Sequence, residues 1–399
     1  MTVEPRCIYS ISEIDAQQWD ALWPSDYPFI KHAFLLALEQ SGAVCQKQGW
    51  QPQHLLLEAE GQVVAAMPLY LKTHSYGEYV FDWSWADAYE RSGLSYYPKL
   101  LCAIPFTPSC GPRLGFCSSD VSVRERLAKR LMSALKEHAL ATSVSSTHVL
   151  FPNAESKRLL DFEGYILRES CQYQWFNLDY TSFDDYLNSF SSRKRKSIRK
   201  ERQKIANLAL DFEWKHGTEI THSDWQSFYI LYHQTYLKRS GRAGYLGQSF
   251  FYQLGQGLPA NVALLQVKRE GEIIAAALFL RDSSTLYGRY WGALEELDGL
   301  HFETCYYQGI DYAIAQGLKR FDSGAQGEHK IQRGFRPVRT LSYHSVAHPD
   351  FSRAISEFCV DEKTHIQAYI EDAQRYLPFK EGQPSVDPDI LNGTDNASD

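Results

Sequence analysis

The segment EGQVVAAMPLYL at 60–71 returns as EGEIIAAALFLR at 270–281, and each copy is followed by tyrosines around a glycine, YGEY at 76–79 and YGRY at 287–290. The offset is 210 residues for the first match and 211 for the second. A repeat this long at a near-constant spacing means two copies of one unit in a single chain. It divides 399 residues into two cores, as a chain of that length requires.

Both copies predict the same elements in the same order. Phe29–Glu39 is expected to be a helix with Phe29, Ala33, Leu36 and Ala37 on one face, and Trp225–Lys238 is its counterpart. Ser41-Gly42 and Ser240-Gly241 end them. Hairpins come next: His54–Ala59 with Val63–Leu71, turning at Glu60-Gly61, and Val262–Arg269 with Ile273–Leu280, turning at Glu270-Gly271. The second strand of each is apolar nearly throughout, as in a strand covered on both faces. YGEY and YGRY read as third strands. Extended through 78–89, the first would place Glu78, Val80, Asp82 and Ser84 on one face.

In the second copy Phe302, Tyr306, Ile310 and Ile314 form an i, i+4 ladder closed by Gly317, and KRFDSG at 319–324 reads as a strand. In the first, Tyr96–Gly115 is a proline- and glycine-rich loop, Val123, Leu127, Leu131 and Leu135 mark a helix, and THVLFPN at 147–153 a strand. Asp184–Lys204 is predicted to be one helix with a basic second half, and a last helix spans Ser352–Tyr376. The fold class is mixed α/β. The expected division is 1–177, a basic connecting helix at 178–206, 207–350, a C-terminal helix at 351–380, and a disordered tail at 381–399.

The net charge of −7 gives no general affinity for polyanions, so DNA is not an expected partner and any nucleic-acid contact is local. There is no run of 18 apolar residues and no basic-then-apolar N-terminus, so neither a membrane span nor a secretory signal is expected. Eight cysteines form no Cys-x-x-Cys pair, which argues against a zinc site and a disulfide framework and for a cytoplasmic protein with reduced thiols.

Three segments carry a resemblance. LNSFSSRKRKSIRKERQKI at 187–205 is a short helix leading into Arg195, Arg199 and Lys200; GIDYAIAQGLKRFDSGAQGEHKIQRGF at 309–335 holds Asp322 and Lys330 ahead of a Gly-Phe pair; FTPSCGPRL at 106–114 holds Gly111-Pro112. With the element order, these resemble the FemAB-like branch of the GNAT acyltransferase superfamily. The resemblance implies tandem GNAT-like domains and an N-acyltransferase. Such an enzyme moves an aminoacyl group from aminoacyl-tRNA to an amine of a cell-wall precursor or another small amino compound. Acyl-CoA is the alternative donor, and a non-catalytic module that binds peptidoglycan precursors or tRNA is a reading of another class. No tightly bound cofactor is implied. The Gln/Arg-x-x-Gly-x-Gly/Ala turn that would hold the pyrophosphate of CoA is present in neither copy, where GFCSSD and ELDGLH stand before the helices.

Lys330, in a turn flanked by Gly327 and Gly334, is the candidate for stabilising an oxyanion or a leaving 3′-oxygen. An exposed loop lysine in that role would contribute little to folding. His329 and Glu328 beside it are candidate general bases. Glu303 either enters the cleft or faces solvent. Glu78 and Asp82 either hold the acceptor amine and take its proton or form structural ion pairs. Tyr97, Lys99, Arg113, Asp322 and Arg333 are candidate substrate-binding residues, with Lys99 and Arg113 either anion clamps or ordinary charges. The run Arg193–Lys204 holds eight basic residues, of which Arg195, Arg199 and Arg202 are candidate phosphate contacts; a solvated basic helix is the plain alternative.

Overall fold

A computed structural model describes residues 3–391 apart from Glu163 and Gln326. The chain forms two compact units. Unit 1 comprises Met1–Cys171, Arg339–Tyr369 and Asp389–Asp399; unit 2 comprises Gln172–Val338 and Ile370–Pro388.

Unit 1 runs β1 (Glu4–Ile8), α1 (Ala16–Asp20), α2 (His32–Gln40), β2 (Trp50–Pro52), β3 (His54–Ala59), β4 (Gln62–Met67), β5 (Tyr70–Lys72), α3 (Trp83–Arg91), β6 (Lys99–Cys102), β7 (Gly115–Phe116), α4 (Val121–Ala141), β8 (Ser146–Leu150) and α5 (Ala154–Phe162), then enters β9 (Ile166–Phe176). Unit 2 continues with α6 (Phe183–Asn188), α7 (Ser192–Ala206), β10 (Asp211–His216), α8 (His222–Ser240), α9 (Gln248–Gly257), β11 (Val262–Arg269), β12 (Glu272–Arg281), β13 (Thr285–Ala293), α10 (Leu300–Phe302), a π-turn over Glu303–Tyr307, α11 (Gln308–Ala315), β14 (Arg320–Asp322) and the start of β15 (Arg336–Val346). The last helix is α12 (Pro349–Arg375).

The repeated hairpins agree in detail. Both central turn residues have positive φ in each: Glu60 and Gly61 at 51° and 76°, Glu270 and Gly271 at 52° and 87°. This mirror-image turn matches strand twist, and glycine reaches it without steric cost. A bulge interrupts each second strand at the same place, Val64 and Ile274 being the extra residues opposite Leu57–Glu58 and Val267–Lys268. The copies then diverge. In unit 2, β12 runs unbroken to Arg281. In unit 1 the expected strand 63–71 stops at Met67, because Pro68 lacks the N–H that a ladder needs. Beyond that proline the chain forms β5, which pairs with β2 and β6 rather than with β3.

Several expectations are corrected. The segment 76–82 is irregular rather than a strand, with Tyr79 at φ 62°, and Trp83–Arg91 is a helix. The loop 96–115 contains the buried strand β6. The helix expected over 184–204 breaks at Ser189–Ser191, where Phe190 turns into the core. The inward face of α2 is His32, Phe34, Leu35, Ala37 and Leu38; Ala33 and Leu36 are only partly covered. In the tail, 392–399 lie outside the described residues. Before them Leu391 is buried, Asp389 pairs with Arg339 at 2.7 Å and Pro384 O accepts from Arg336 at 3.0 Å.

In unit 2 the strand order is β10-β11-β12-β13-β14, with the end of β9 on β14. β13 and β14 are parallel and pair only over Thr285–Tyr287 and Arg320–Asp322. Beyond that point β13 continues to Ala293 against β12 alone. The two strands part there, and a cleft opens between them.

Candidate functional site

The cleft of unit 2 is a cavity of about 90 Å³, lined among others by Arg289, His301, Cys305, Tyr306 and Ser323. Its far wall is the π-turn. One extra residue per turn there swings side chains off the helical register, as π-turns at functional sites commonly do. Burial pushes His301 down to about 4, with nearby cations adding to the effect, so its ring is neutral at neutral pH.

Lys330 lies in a 3₁₀ turn, Glu328–Arg333, entered through Gly327 at φ 120° and left through Gly334 at φ 80°. Contrary to the expectation of an exposed loop lysine, it is 1% exposed. Its ammonium donates to Ser323 O at 3.0 Å and Gly324 O at 2.7 Å. Burial brings it down to about 8, with Asp322 opposing the shift and Arg289 adding to it. Asp322 is taken by Arg289 in a two-pronged pair at 3.2 and 3.0 Å, and also accepts from Gly324 N at 2.9 Å. Lys330 is therefore held by carbonyls, with the nearest carboxylate spoken for.

Around it, His329 is exposed and its Nε2 lies 2.9 Å from Tyr306 Oη; burial of part of the ring, Lys330 and Arg333 lower its pKa. Arg333 is buried, with Phe302 stacked 3.5 Å from its guanidinium carbon. Glu303 faces neither cleft nor solvent: it is 4% exposed and accepts from Arg202 at 2.9 and 3.2 Å and from Gln308 at 2.9 Å. Arg202 also pairs with Asp311 at 2.8 Å, so it is not free for phosphate.

Helix α7 has two faces. Ile198, Glu201, Arg202 and Ile205, at i, i+3, i+4 and i+7, form the inward stripe. Lys204 pairs with Asp298 and Arg199 with Asp184. Among the described residues, no carboxylate pairs with Arg193, Lys194, Arg195, Lys196 or Lys200; Arg195 reaches only Asn188 at 3.5 Å. Ser191 supplies no side-chain cap, and no acid stands in the first turn. Cations crowd the end of a helix where the backbone dipole already presents positive charge.

Unit 1 places its candidates in another cluster. Lys72 and Lys99 are direct partners across β5 and β6, and both are fully buried. Like charges in that register repel. The loop 75–82 answers them: Lys99 Nζ donates to Ser75 Oγ at 2.8 Å, Glu78 Oε2 at 2.7 Å and Asp82 Oδ2 at 2.5 Å. These use all three ammonium hydrogens. Glu78 and Asp82 come together through Lys99 rather than through a strand face. Burial disfavours the Lys99 charge, but Glu78 and Asp82 outweigh it and raise the pKa. Burial lifts Glu78 to about 7 against the pull of Lys99. Asp82 falls to about 2, burial being overcome by Lys99 and His148, while Tyr96 Oη donates to it at 2.6 Å. Lys72 lies 3.7 Å over the Trp50 ring, and burial brings it down to about 7. Tyr97 Oη lies 2.8 Å from Ser75 Oγ. Behind the cluster His148 and His344, partners across β8 and β15, meet Nδ1 to Nδ1 at 2.5 Å.

Two anion clamps are thereby corrected. Lys99 has no hydrogen left for a ligand. Arg113 is 0% exposed, and its guanidinium donates to Leu150 O, Pro112 O and Ser109 O at 2.7, 3.0 and 2.7 Å. Arg289, which sequence reasoning did not select, is central to the cleft. The signal was present in the repeat: YGRY places Arg289 where YGEY places Glu78.

The family model described as FemAB-like, peptidoglycan biosynthesis/recognition, matches residues 10–381. The structure of FemX aligns over 88% of this chain and 100% of its own at TM-score 0.51 and 14% identity. The DUF2156 domain of a protein from Agrobacterium fabrum aligns over 87% and 96% at TM-score 0.50 and 11% identity. A tandem GNAT protein from the clavulanic acid biosynthesis pathway aligns over 87% and 99% at TM-score 0.45 and 10% identity. At such identities the first two likenesses are ones of fold. No curated protein matches the sequence. Among the described residues no helix is long and apolar enough to cross a membrane, and no group of three or more His, Cys, Asp or Glu is placed to hold a metal ion. The chain belongs to the FemAB-like family, described as one of peptidoglycan biosynthesis and recognition.

Proposed function

We propose that the protein transfers an aminoacyl group from aminoacyl-tRNA to an amine of a cell-wall precursor, with the chemistry in the cleft of unit 2. The observation that carries the donor is the basic end of α7, which no carboxylate among the described residues pairs, in a chain of net charge −7. Cations gathered at a helix N-terminus are unfavourable for the helix alone and favourable for a phosphate backbone.

Acyl-CoA fits less well. The helices that would hold its pyrophosphate begin with acids: Asp120 caps α4 by accepting from Val123 N at 3.0 Å, and Asp298 stands just before Gly299 and α10. Asp120 occupies an amide that a phosphate needs and repels it; Asp298, which makes no cap and pairs with Lys204, adds only its charge.

In the reaction the acceptor amine attacks the ester carbonyl of the aminoacyl group. A C–N bond forms, the bond to the 3′-oxygen breaks, and the amine's proton passes to a base. Lys330 supplies positive charge to the developing oxyanion and, near pH 8, a proton to the leaving oxygen. His329 is the base in the tautomer whose Nε2–H donates to Tyr306, which leaves Nδ1 free. Asp322, gripped by Arg289, holds the Ser323–Gly324 segment whose carbonyls seat Lys330, and so serves the site by placing that ammonium. Arg195 contacts the RNA, and Arg199 does so by giving up its exposed pair with Asp184.

The test is a donor competition with a pool of aminoacyl-tRNAs and a pool of acyl-CoAs, each offered with an extract of cell-wall precursors. Transfer of label from tRNA alone is the expected result. Transfer from CoA alone would overturn the donor assignment, and transfer from neither would overturn the reaction.

A further inference from the structure

We propose that Glu201 is a positioning residue that ties helix α7 to the turn carrying Lys330. The proposal rests on reading α7 as the RNA-binding element.

Glu201 is the one acid on the inward stripe of α7. Its Oε2 accepts from Tyr307 Oη at 2.5 Å, on the π-turn, and from Arg333 Nη2 at 2.9 Å, in the Lys330 turn. The other prong of Arg333, Nη1, donates to the carbonyl of His329 at 2.8 Å. Two hydrogen bonds therefore lead from the helix to the peptide group that joins His329 to Lys330. Phe302, stacked on the guanidinium, keeps the fork from swinging. A planar fork held in this way transmits position better than a flexible ammonium would. The same rigid helix carries Lys196 and Lys200 on its exposed side, within about a turn of Glu201. RNA held on the outer face thereby fixes the inner carboxylate, and through it the backbone of the turn.

An ion pair that only stabilises the fold would leave this link silent to RNA. The experiment follows backbone hydrogen exchange in segment 327–335 of the full-length protein, with and without deacylated bulk tRNA at low salt. In the wild type, bound tRNA is expected to slow exchange in that segment about fivefold or more, the lower end of ordinary coupling between sites. Glu201→Gln is expected to bind tRNA at least as tightly, because a negative charge has left a basic helix, and to lose the slowing. Arg333→Gln reproduces the effect through the other partner, and the double variant is no worse than either single. Equal slowing in Glu201→Gln and wild type overturns the proposal, as does tRNA binding in the wild type without any slowing. Absence of tRNA binding in the wild type instead overturns the reading of α7, and the coupling with it.

Discussion

The glycine-tyrosine segment of unit 1 supplies Glu78 to a buried lysine, Lys99; 211 residues later, the same segment of unit 2 supplies Arg289 beside another, Lys330. The inversion changes what each lysine can do. Lys99 meets two carboxylates and a serine, so its charge is saturated and its pKa rises. Among the described residues Lys330 donates to two carbonyls and no carboxylate, because Arg289 has taken Asp322, and burial lowers it. One repeat has used its buried ammonium to organise a loop. The other has kept Lys330 without a carboxylate of its own, so that it can give up its proton near neutrality, as Lys72 beside Lys99 also can. A buried charge is inert when its partners match it and reactive when they do not.

The largest expected effect breaks the saturated centre. Asp82→Ala leaves Lys99 short of a counter-charge beside Lys72, and loss of one partner of a buried pair costs about 3–5 kcal/mol. Chemical denaturation should show it, while Asp82→Ala with Lys99→Met should recover much of the loss. If Asp82→Ala is as stable as the wild type, the centre does not organise unit 1.

Next is the reactive centre. Lys330→Ala should lower the rate of acyl transfer about 10²–10³-fold with tRNA affinity unchanged. Lys330→Arg should not restore it, since the planar fork cannot sit between the carbonyls of Ser323 and Gly324 as an ammonium does. Full turnover in either variant removes Lys330 from the chemistry.

Glu78 and Lys330 should also differ in how they make stability depend on pH. Glu78 binds its proton more tightly folded, at about 7 against 4.5. Relative to Glu78→Gln, its contribution is full below pH 4.5 and is lost as pH rises through 7. Lys330 binds its proton less tightly folded, at about 8 against 10.5, so relative to Lys330→Met stability should rise as pH goes from 8 to 10.5. The full change at Lys330 is on the order of 3 kcal/mol. Slopes of the same sign at both positions would contradict the contrast.

How far the sequence revealed this differs between the copies. The hairpins and their turns were legible, because positive-φ turn chemistry and apolar runs are local signals; the bulge they share was not read from the sequence. YGEY failed as a strand because Pro68 redirected the chain before it, and a one-dimensional repeat does not show which edge a strand will meet. The Lys330 turn was found from its glycines, but its burial was not, since that depends on Ser323 and Gly324 folding back over it. Arg113 read as an anion clamp or an ordinary charge; two carbonyls of its own loop, Ser109 and Pro112, and one from a distant strand, Leu150, had already satisfied it.

The smallest expected effect is on the basic end of α7. Neutralising Arg193, Arg195 and Lys196 should raise stability by a few tenths of a kcal/mol by relieving charge against the helix dipole. It should also flatten the salt dependence of tRNA binding by about 0.7–0.9 log units per lost contact. An unchanged salt slope would leave α7 as a solvated basic helix.

The contrast between the two lysines is tested most directly by labelling the protein with ¹³C-lysine and following the Cε–Hε resonances of Lys330 and Lys99 through a pH titration. Each is assigned from its methionine variant. The account predicts that Lys330 titrates near pH 8 while Lys99 stays protonated beyond 10.5. Titration of Lys330 at or above 10.5, or of both lysines together, would contradict it.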